Sequence, residues 1–116
     1  MLPKHYRLNL EDEINFVLKK GRRASTPFFA VSCVFVKGDE GKRFGFLVSK
    51  KVSNKTTARN LIKRRMRAVV AKNLSTCRAG TRCIFIARPQ SLGADYVRLE
   101  SEMLRSMKTL GIMANY

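Results

Sequence analysis

The chain is poor in acid. Eight Asp and Glu stand against 24 Lys and Arg, giving a formal net charge of +16 and a pI near 10.7. No carboxylate at all occurs between Glu40 and Asp95, although Lys and Arg recur throughout that interval. An excess of this size calls for a polyanion, nucleic acid before an anionic membrane. Tryptophan is absent and His5 is the single histidine. The three cysteines, Cys33, Cys77 and Cys83, are an odd number without paired spacing. A zinc site wants four ligands in characteristic pairs, which these cysteines and the lone His5 do not supply, so the protein is expected to bind no metal. They read as free thiols in a reducing compartment, Cys33 and Cys83 packing as small hydrophobes inside apolar runs. No apolar run approaches the ~20 residues of a membrane helix, and the N-terminus lacks a hydrophobic targeting core. The expectation is a cytoplasmic protein. The few acids are dispersed, mostly where helices begin. None form a pair in the basic centre able to hold two magnesium ions, and there is no nucleophile elbow or phosphate-cradling glycine loop. Catalysis by the chain alone is not expected, and no catalytic residue is assigned.

The 116 residues are 45% hydrophobic, too apolar for a disordered basic tail. One domain over residues 1–116 is expected, with residues 1–8 a basic lead-in ordered only where it meets the domain or a partner. Asn9 can cap a helix running to about Lys20, with Glu11, Asp12 and Glu13 at its positive end and Lys19 and Lys20 at its negative end. Leu10, Ile14, Val17 and Leu18 make its apolar stripe, and Gly21 suits a left-handed residue closing it. Arg22 to Pro27 is a basic connector. From Phe28 to Val36 the chain alternates, with Phe29, Val31, Cys33 and Phe35 on one face and Phe28, Ala30, Ser32, Val34 and Val36 on the other. A turn at Lys37–Lys42 leads to a second strand, antiparallel, over Arg43–Ser49, where Gly45 marks a bulge or a close backbone approach.

The stretch Ser49 to Val70 has a different character. A short polar turn precedes a helix whose residues Ala58, Ile62, Met66, Val69 and Val70 form one apolar face at about 100° per residue. Arg59, Asn60, Lys63, Arg64 and Arg67 gather opposite, with no acid at the i±3 or i±4 positions to compensate them. Thr56 or Thr57 suits the N-cap. Lys50, Lys51 and Lys55 before the helix, with Arg59, Lys63, Arg64 and Arg67 on it, are phosphate-binding candidates, arginine as a bidentate fork and lysine as a point charge. The amide of Asn60 can meet a base edge or a 2′-OH, or tie the helix to its own turn. Arg65 lies at the edge of the apolar stripe, its head in solvent. The helix ends near Lys72 or Asn73. A strand follows over Arg82–Arg88, stopped by Pro89, and a last helix over about Asp95–Leu110 carries Tyr96 or Val97, Leu99, Met103, Leu104, Met107 and Leu110. The order α-β-β-α-β-α predicts a two-layer α/β sandwich, three helices on a small sheet.

Three motifs in this order resemble the bacterial ribonuclease P protein component. They are Ser49-Lys50-Lys51 followed by Arg59-Asn60-Leu61-Ile62-Lys63-Arg64, then the strand Arg82-Cys83-Ile84-Phe85-Ile86-Ala87-Arg88-Pro89, and Arg7-Leu8 leading into Phe16-Val17-Leu18-Lys19-Lys20-Gly21. Leu61 stands where the family motif usually has its second Arg, and Ile14 and Leu18 where relatives are often aromatic. The resemblance implies a four-stranded α/β sandwich like that of a ribosomal protein domain, with an unusual left-handed βαβ crossover. It implies a subunit that joins a catalytic RNA to mature tRNA 5′ ends, with the active site and its magnesium ions in the RNA. The basic helix would dock on that RNA, and a cleft between the first helix and the sheet would receive the single-stranded 5′ leader of precursor tRNA. Neither a membrane nor an obligate protein partner is implied. For that cleft the candidates are Ile14, Leu18, Phe28, Ala30 and Ser32, residues that the pattern alone reads equally as core. Rival readings are a ribosomal or other structural RNA-binding protein, and a DNA-binding helix in a major groove.

Overall fold

A computed structural model describes residues 2–8 and 11–113. In chain order the elements are α1 (Glu11–Lys20), β1 (Arg22–Ser25), β2 (Phe29–Phe35), β3 (Arg43–Leu47), α2 (Thr56–Lys72), β4 (Thr81–Ala87) and α3 (Tyr96–Thr109), with short 3-10 turns at Lys4–Tyr6, Leu74–Thr76 and Pro89–Ser91. The four strands form one sheet in the order β1-β2-β4-β3. Asn9 and Leu10, proposed as cap and apolar residue of α1, lie outside the described residues. Among those described, no helix is long and apolar enough to cross a membrane.

The sheet departs from the sequence reading in two ways. First, β3 is antiparallel in sense to β2 but is not its neighbour, because β4 lies between them, antiparallel to β2 and parallel to β3. Parallel neighbours need a crossover, and α2 supplies it in the unit β3–α2–β4. Second, the basic connector is a strand. Arg22–Ser25 pairs antiparallel with Ala30–Cys33. Its turn is closed by Thr26, whose Oγ1 accepts the N–H groups of Phe28 and Phe29. Cations on this outer strand discourage further edge pairing.

Alternation along the strands divides the apolar residues between two clusters. Phe29, Val31, Cys33, Phe44, Phe46, Cys83 and Phe85 face α2 and α3, meeting Ile62, Met66, Val69, Val70, Leu99, Met103 and Met107 in the main core. The lead-in is tied to the domain, since Leu2 is fully buried in that core and Leu8 N–H bonds the Phe44 carbonyl. On the other side of the sheet, α1 lays Val17 against Ile84 and Leu8, with Ile14, Leu18, Val34 and Ile86 around them.

Two glycines act differently from the reading. Gly45 sits in unbroken register with Ile84, so there is no bulge. A Cβ there would stand 3.4 Å from Leu8 Cβ, an ordinary contact, so the backbone is not unusually close either. Gly21 is not left-handed, because positive φ occurs only at Gly38, Gly80, Gly93 and Gly111 among the described residues. Its requirement is space. A Cβ on Gly21 would lie 2.4 Å from the Val17 carbonyl oxygen and 2.5 Å from Ser32 Oγ. Gly111 does close α3 as expected. Ile112 N–H reaches the Met107 carbonyl at 2.9 Å and Gly111 N–H the Lys108 carbonyl at 3.1 Å, a complete Schellman ending. At the other end of α3, Asp95 caps the helix by accepting the Arg98 N–H at 2.7 Å.

Cys33, Cys77 and Cys83 are all buried and free. Burial pushes the Cys77 thiol up to about 11. Cys83 is driven well above the ordinary thiol range by burial and by Cys33 beside it. An unfolded thiol ionises near 9 while buried Cys77 stays protonated to about 11, so the unfolded state loses its proton first. Stability from this group is therefore complete below pH 9 and is lost as pH rises from 9 to 11. A thermal midpoint that falls over that range, with thiol reagents reacting slowly at pH 8 until denaturant is added, is the expected outcome. Gly21→Ala is expected to lower unfolding free energy by about 1–3 kcal/mol through overpacking, measured by urea denaturation. An unchanged midpoint would show that α1 and β2 can part at no cost.

Candidate nucleic-acid interface

The turn before α2 is built to expose its cations. Val52 is buried in the main core and anchors the segment. Ser49 Oγ accepts the Lys51 N–H and Ser53 Oγ the Lys55 N–H. Lys50, Lys51 and Lys55 are thereby left at the surface. Neither Thr56 nor Thr57 is the N-cap. That position is Lys55, without a side-chain cap bond. The helix start is held instead by Arg59, whose guanidinium donates to the Ser53 carbonyl at 2.9 Å and to Thr56 Oγ1 at 3.2 Å.

The two flanks of α2 differ in what they meet. One flank turns to α3, where Arg65 donates to the Ala94 carbonyl at 3.0 Å and Lys72 pairs with Glu100 at 2.9 Å. The carboxylate of Glu100 holds the Lys72 ammonium above its usual pKa. The opposite flank carries Asn60, Lys63, Arg64 and Arg67. Lys72 is the only α2 cation in an ion pair among the described residues. Asn60, Arg64, Arg67 and Ala68 line a groove of about 300 Å3. There the Arg67 Nε is buried without a hydrogen-bond partner among the described residues. The Arg64 and Arg67 guanidiniums bring two bidentate donors to this groove, the chemistry that suits a phosphate.

The second surface lies across the sheet. α1 spans the strands, held near its start by Arg43 donating to both oxygens of Glu13 at 3.0 and 3.2 Å, and at its end by Arg23 donating to the Leu18 carbonyl at 3.0 Å. It covers Ser32, Ile84 and Gly45, leaving Arg23 exposed at the β1 end of their row, and leaves the next row uncovered. That row, read from the strand register, is Ser25–Ala30–Ile86–Leu47. Leu47 is 37% exposed, whereas Ile84 one row away is fully buried. Ile14 and Leu18 of α1 pack in the same cluster as Ile86, so this flank of the helix borders the open row. Arg88, just past the end of β4, bonds Ser25 at the rim.

Of the five residues proposed for the cleft, Ile14 and Leu18 lie on this flank and Ala30 in the open row. Ser32 does not belong there, because its hydroxyl is buried under α1, donating to the Val17 carbonyl at 2.9 Å. Phe28 does not either. It precedes the strand, in the turn closed by Thr26, and so escapes the alternation, packing on the α3 side below Arg98. The sequence reading missed Ser25, Leu47, Ile86, Arg23 and Arg88. Only the pairing of β4 between β2 and β3 brings them together. No group of three or more His, Cys, Asp or Glu among the described residues is placed to hold a metal ion.

Residues 2–111 match the family model described as Ribonuclease P. A ribonuclease P protein component of Clavibacter michiganensis subsp. michiganensis is 34% identical over 103 residues, covering 89% of this chain and 90% of its own length. One of Synechocystis sp. is 31% identical over 112 residues, covering 97% and 90%. In three dimensions the RNase P protein of Staphylococcus aureus superposes with a TM-score of 0.87 at 25% identity, covering 96% of this chain and all of that one. The mixed four-stranded sheet with its parallel β3–α2–β4 unit is thus a fold this chain shares along nearly its whole length. The chain belongs to the ribonuclease P protein components, partners of the RNase P RNA in maturing tRNA 5′ ends.

Proposed function

We propose that this chain acts as a single RNA-binding domain in the cytoplasm, with two surfaces of separate duty. The α2 surface, made of Lys50, Lys51, Lys55, Arg59, Asn60, Lys63, Arg64 and Arg67, grips the phosphates of the catalytic RNA. The cleft between α1 and the open sheet row receives the single-stranded 5′ leader of precursor tRNA. Chemistry remains with the RNA and the magnesium ions it holds. The protein screens phosphate repulsion and positions the leader. The observation that carries this reading is the row of cations on α2 that no carboxylate among the described residues compensates. Low charge in the cleft floor (Ala30, Ile86 and Leu47) fits bases or riboses lying flat, with Arg23 and Arg88 at its β1 end for phosphates.

Added protein is expected to let the catalytic RNA cleave precursor tRNA at magnesium concentrations where the RNA alone is slow. An unchanged rate would favour a purely structural RNA-binding role. Affinity for the catalytic RNA should fall with salt at a logarithmic slope of roughly −0.7 to −0.9 per phosphate neutralised. Lys63→Ala with Arg64→Ala should make that slope shallower by about 1.4 to 1.8 at an unchanged melting temperature. A flat salt response in the parent protein contradicts the proposal. Separately, Ala30→Asp should weaken binding of precursor tRNA by about tenfold, roughly 1.4 kcal/mol. Mature tRNA, which has no leader, should bind as before. Equal losses on both substrates would remove the leader from this cleft.

A further inference from the structure

Phe28 and the outer ridge of α3 belong to neither surface. The Arg98 guanidinium lies 5.3 Å above the Phe28 ring centroid, a cation–π pair. The pair borders a groove of about 510 Å3 that also includes Ala94, Val97 and Ser101. From Arg98 the helix continues with Ser101, Arg105 and Lys108 at steps of three, four and three, so the four share one stripe, and all are exposed. Arg22 shares strand parity with Ala24, which packs on the α3 side, and so adds a cation to that side. Two acids lie nearby. Asp95 lines the groove itself, its carboxylate engaged as the N-cap by accepting the Arg98 N–H. Glu102 forms ion pairs with both Arg98 and Arg105, at 4.0 and 3.9 Å, too long for hydrogen bonds, so both guanidiniums keep their donors.

We propose that Phe28 and this α3 ridge form a second track for single-stranded RNA, on the side of the sheet away from the leader cleft. The flat ring with a guanidinium above it is a stacking platform for a base, indifferent to its identity. Arg98 and Arg105 are about 10.5 Å apart along the helix, a spacing that serves phosphates flanking a stacked nucleotide, with the Ser101 hydroxyl between them for a ribose 2′-OH. A protein partner would have to desolvate four exposed cations. A nucleic acid strand brings its own counter-charge and releases bound ions on docking. This track goes beyond the two surfaces proposed above and does not depend on them.

The test uses the full chain in two titrations, one against the catalytic RNA and one of the assembled complex, saturated with precursor tRNA, against a fluorescent ten-nucleotide oligouridylate. Arg98→Ala with Arg105→Ala should lose about tenfold in one of them, with a salt slope shallower by about 1.4. A loss against the catalytic RNA makes that molecule the source of the strand, whereas a loss against oligouridylate makes it a separate RNA. Phe28→Tyr should keep the parent affinity and Phe28→Leu lose about fivefold. If the Arg98 change disturbs folding in a thermal melt, Arg105→Ala with Lys108→Ala replaces it. Unchanged binding in both titrations, equal losses for Tyr and Leu at position 28, or binding of phosphatidylserine vesicles in place of RNA overturns the proposal. Failure of the parent chain to bind the catalytic RNA would instead count against the subunit reading, with free chain and oligouridylate still testing the ridge.

Discussion

The placement of β4 between β2 and β3 is the constraint on which the rest of the molecule depends. The strand is hydrogen-bonded along both edges and buried on both faces, with Phe85 and Cys83 turned to one side and Ile84 to the other, all fully buried. Phe85 stacks on Phe46 at 5.7 Å and meets Phe29 edge-on at 5.9 Å, so one ring joins three strands. Full burial of such a ring contributes about 1.5–3 kcal/mol, and aromatic geometry adds to it. A slip of one residue would exchange the two faces and place Ile84 among residues that fit Phe85. The same register sets Ser25, Ala30, Ile86 and Leu47 in one row, so the floor of the cleft follows from the packing of the core.

Charge is divided with similar economy. Acids are few, and three of them sit at joints between elements. Glu13 ties α1 to the start of β3, Asp39 ties the turn after β2 to Arg82 of β4, and Glu100 ties α3 to α2. Of these, the Asp39 pair reaches furthest inward, since the Arg82 side chain is 8% exposed and its guanidinium lies 2.6 Å from the carboxylate. The Gly41 N–H and the Arg82 guanidinium hold the Asp39 carboxyl below its ordinary pKa. The outer flank of α2 has no such partner among the described residues. Its repulsion is left for an anion to relieve, which is the electrostatic form of a subunit made to assemble with RNA.

The two proposed RNA surfaces meet where β3 ends. Leu47 belongs to the open row, and the chain passes through buried Val48 to Ser49, Lys50 and Lys51 before entering α2. A strand of RNA leaving the cleft at its β3 side would find those lysines next. The opposite end is marked by Arg23, bonded to the Leu18 carbonyl, and by Arg88, bonded to Ser25. Cationic ends flanking an apolar floor favour a polyanion with flat bases over either a lipid tail or an acidic peptide.

The sequence by itself determined the local structure and the electrostatic character. Helical periodicity placed Ile62, Met66, Val69 and Val70 inside and the cations of α2 outside, because both follow from an angle that the backbone fixes locally. Alternation correctly separated Phe29, Val31 and Cys33 from Ala30 and Ser32 for the same reason. What only the tertiary structure decided is which strands are neighbours and which residues are covered. Ser32 and Ala30 look alike in the pattern, yet α1 seals one and leaves the other open. Gly21 resembles an ordinary helix terminator, but its role is to let α1 approach β2. Phe28 has the parity of the cleft and lies on the other side, because a turn held by Thr26 precedes the strand. Pairing between distant segments depends on packing complementarity and the closure of long loops, and no local period records either.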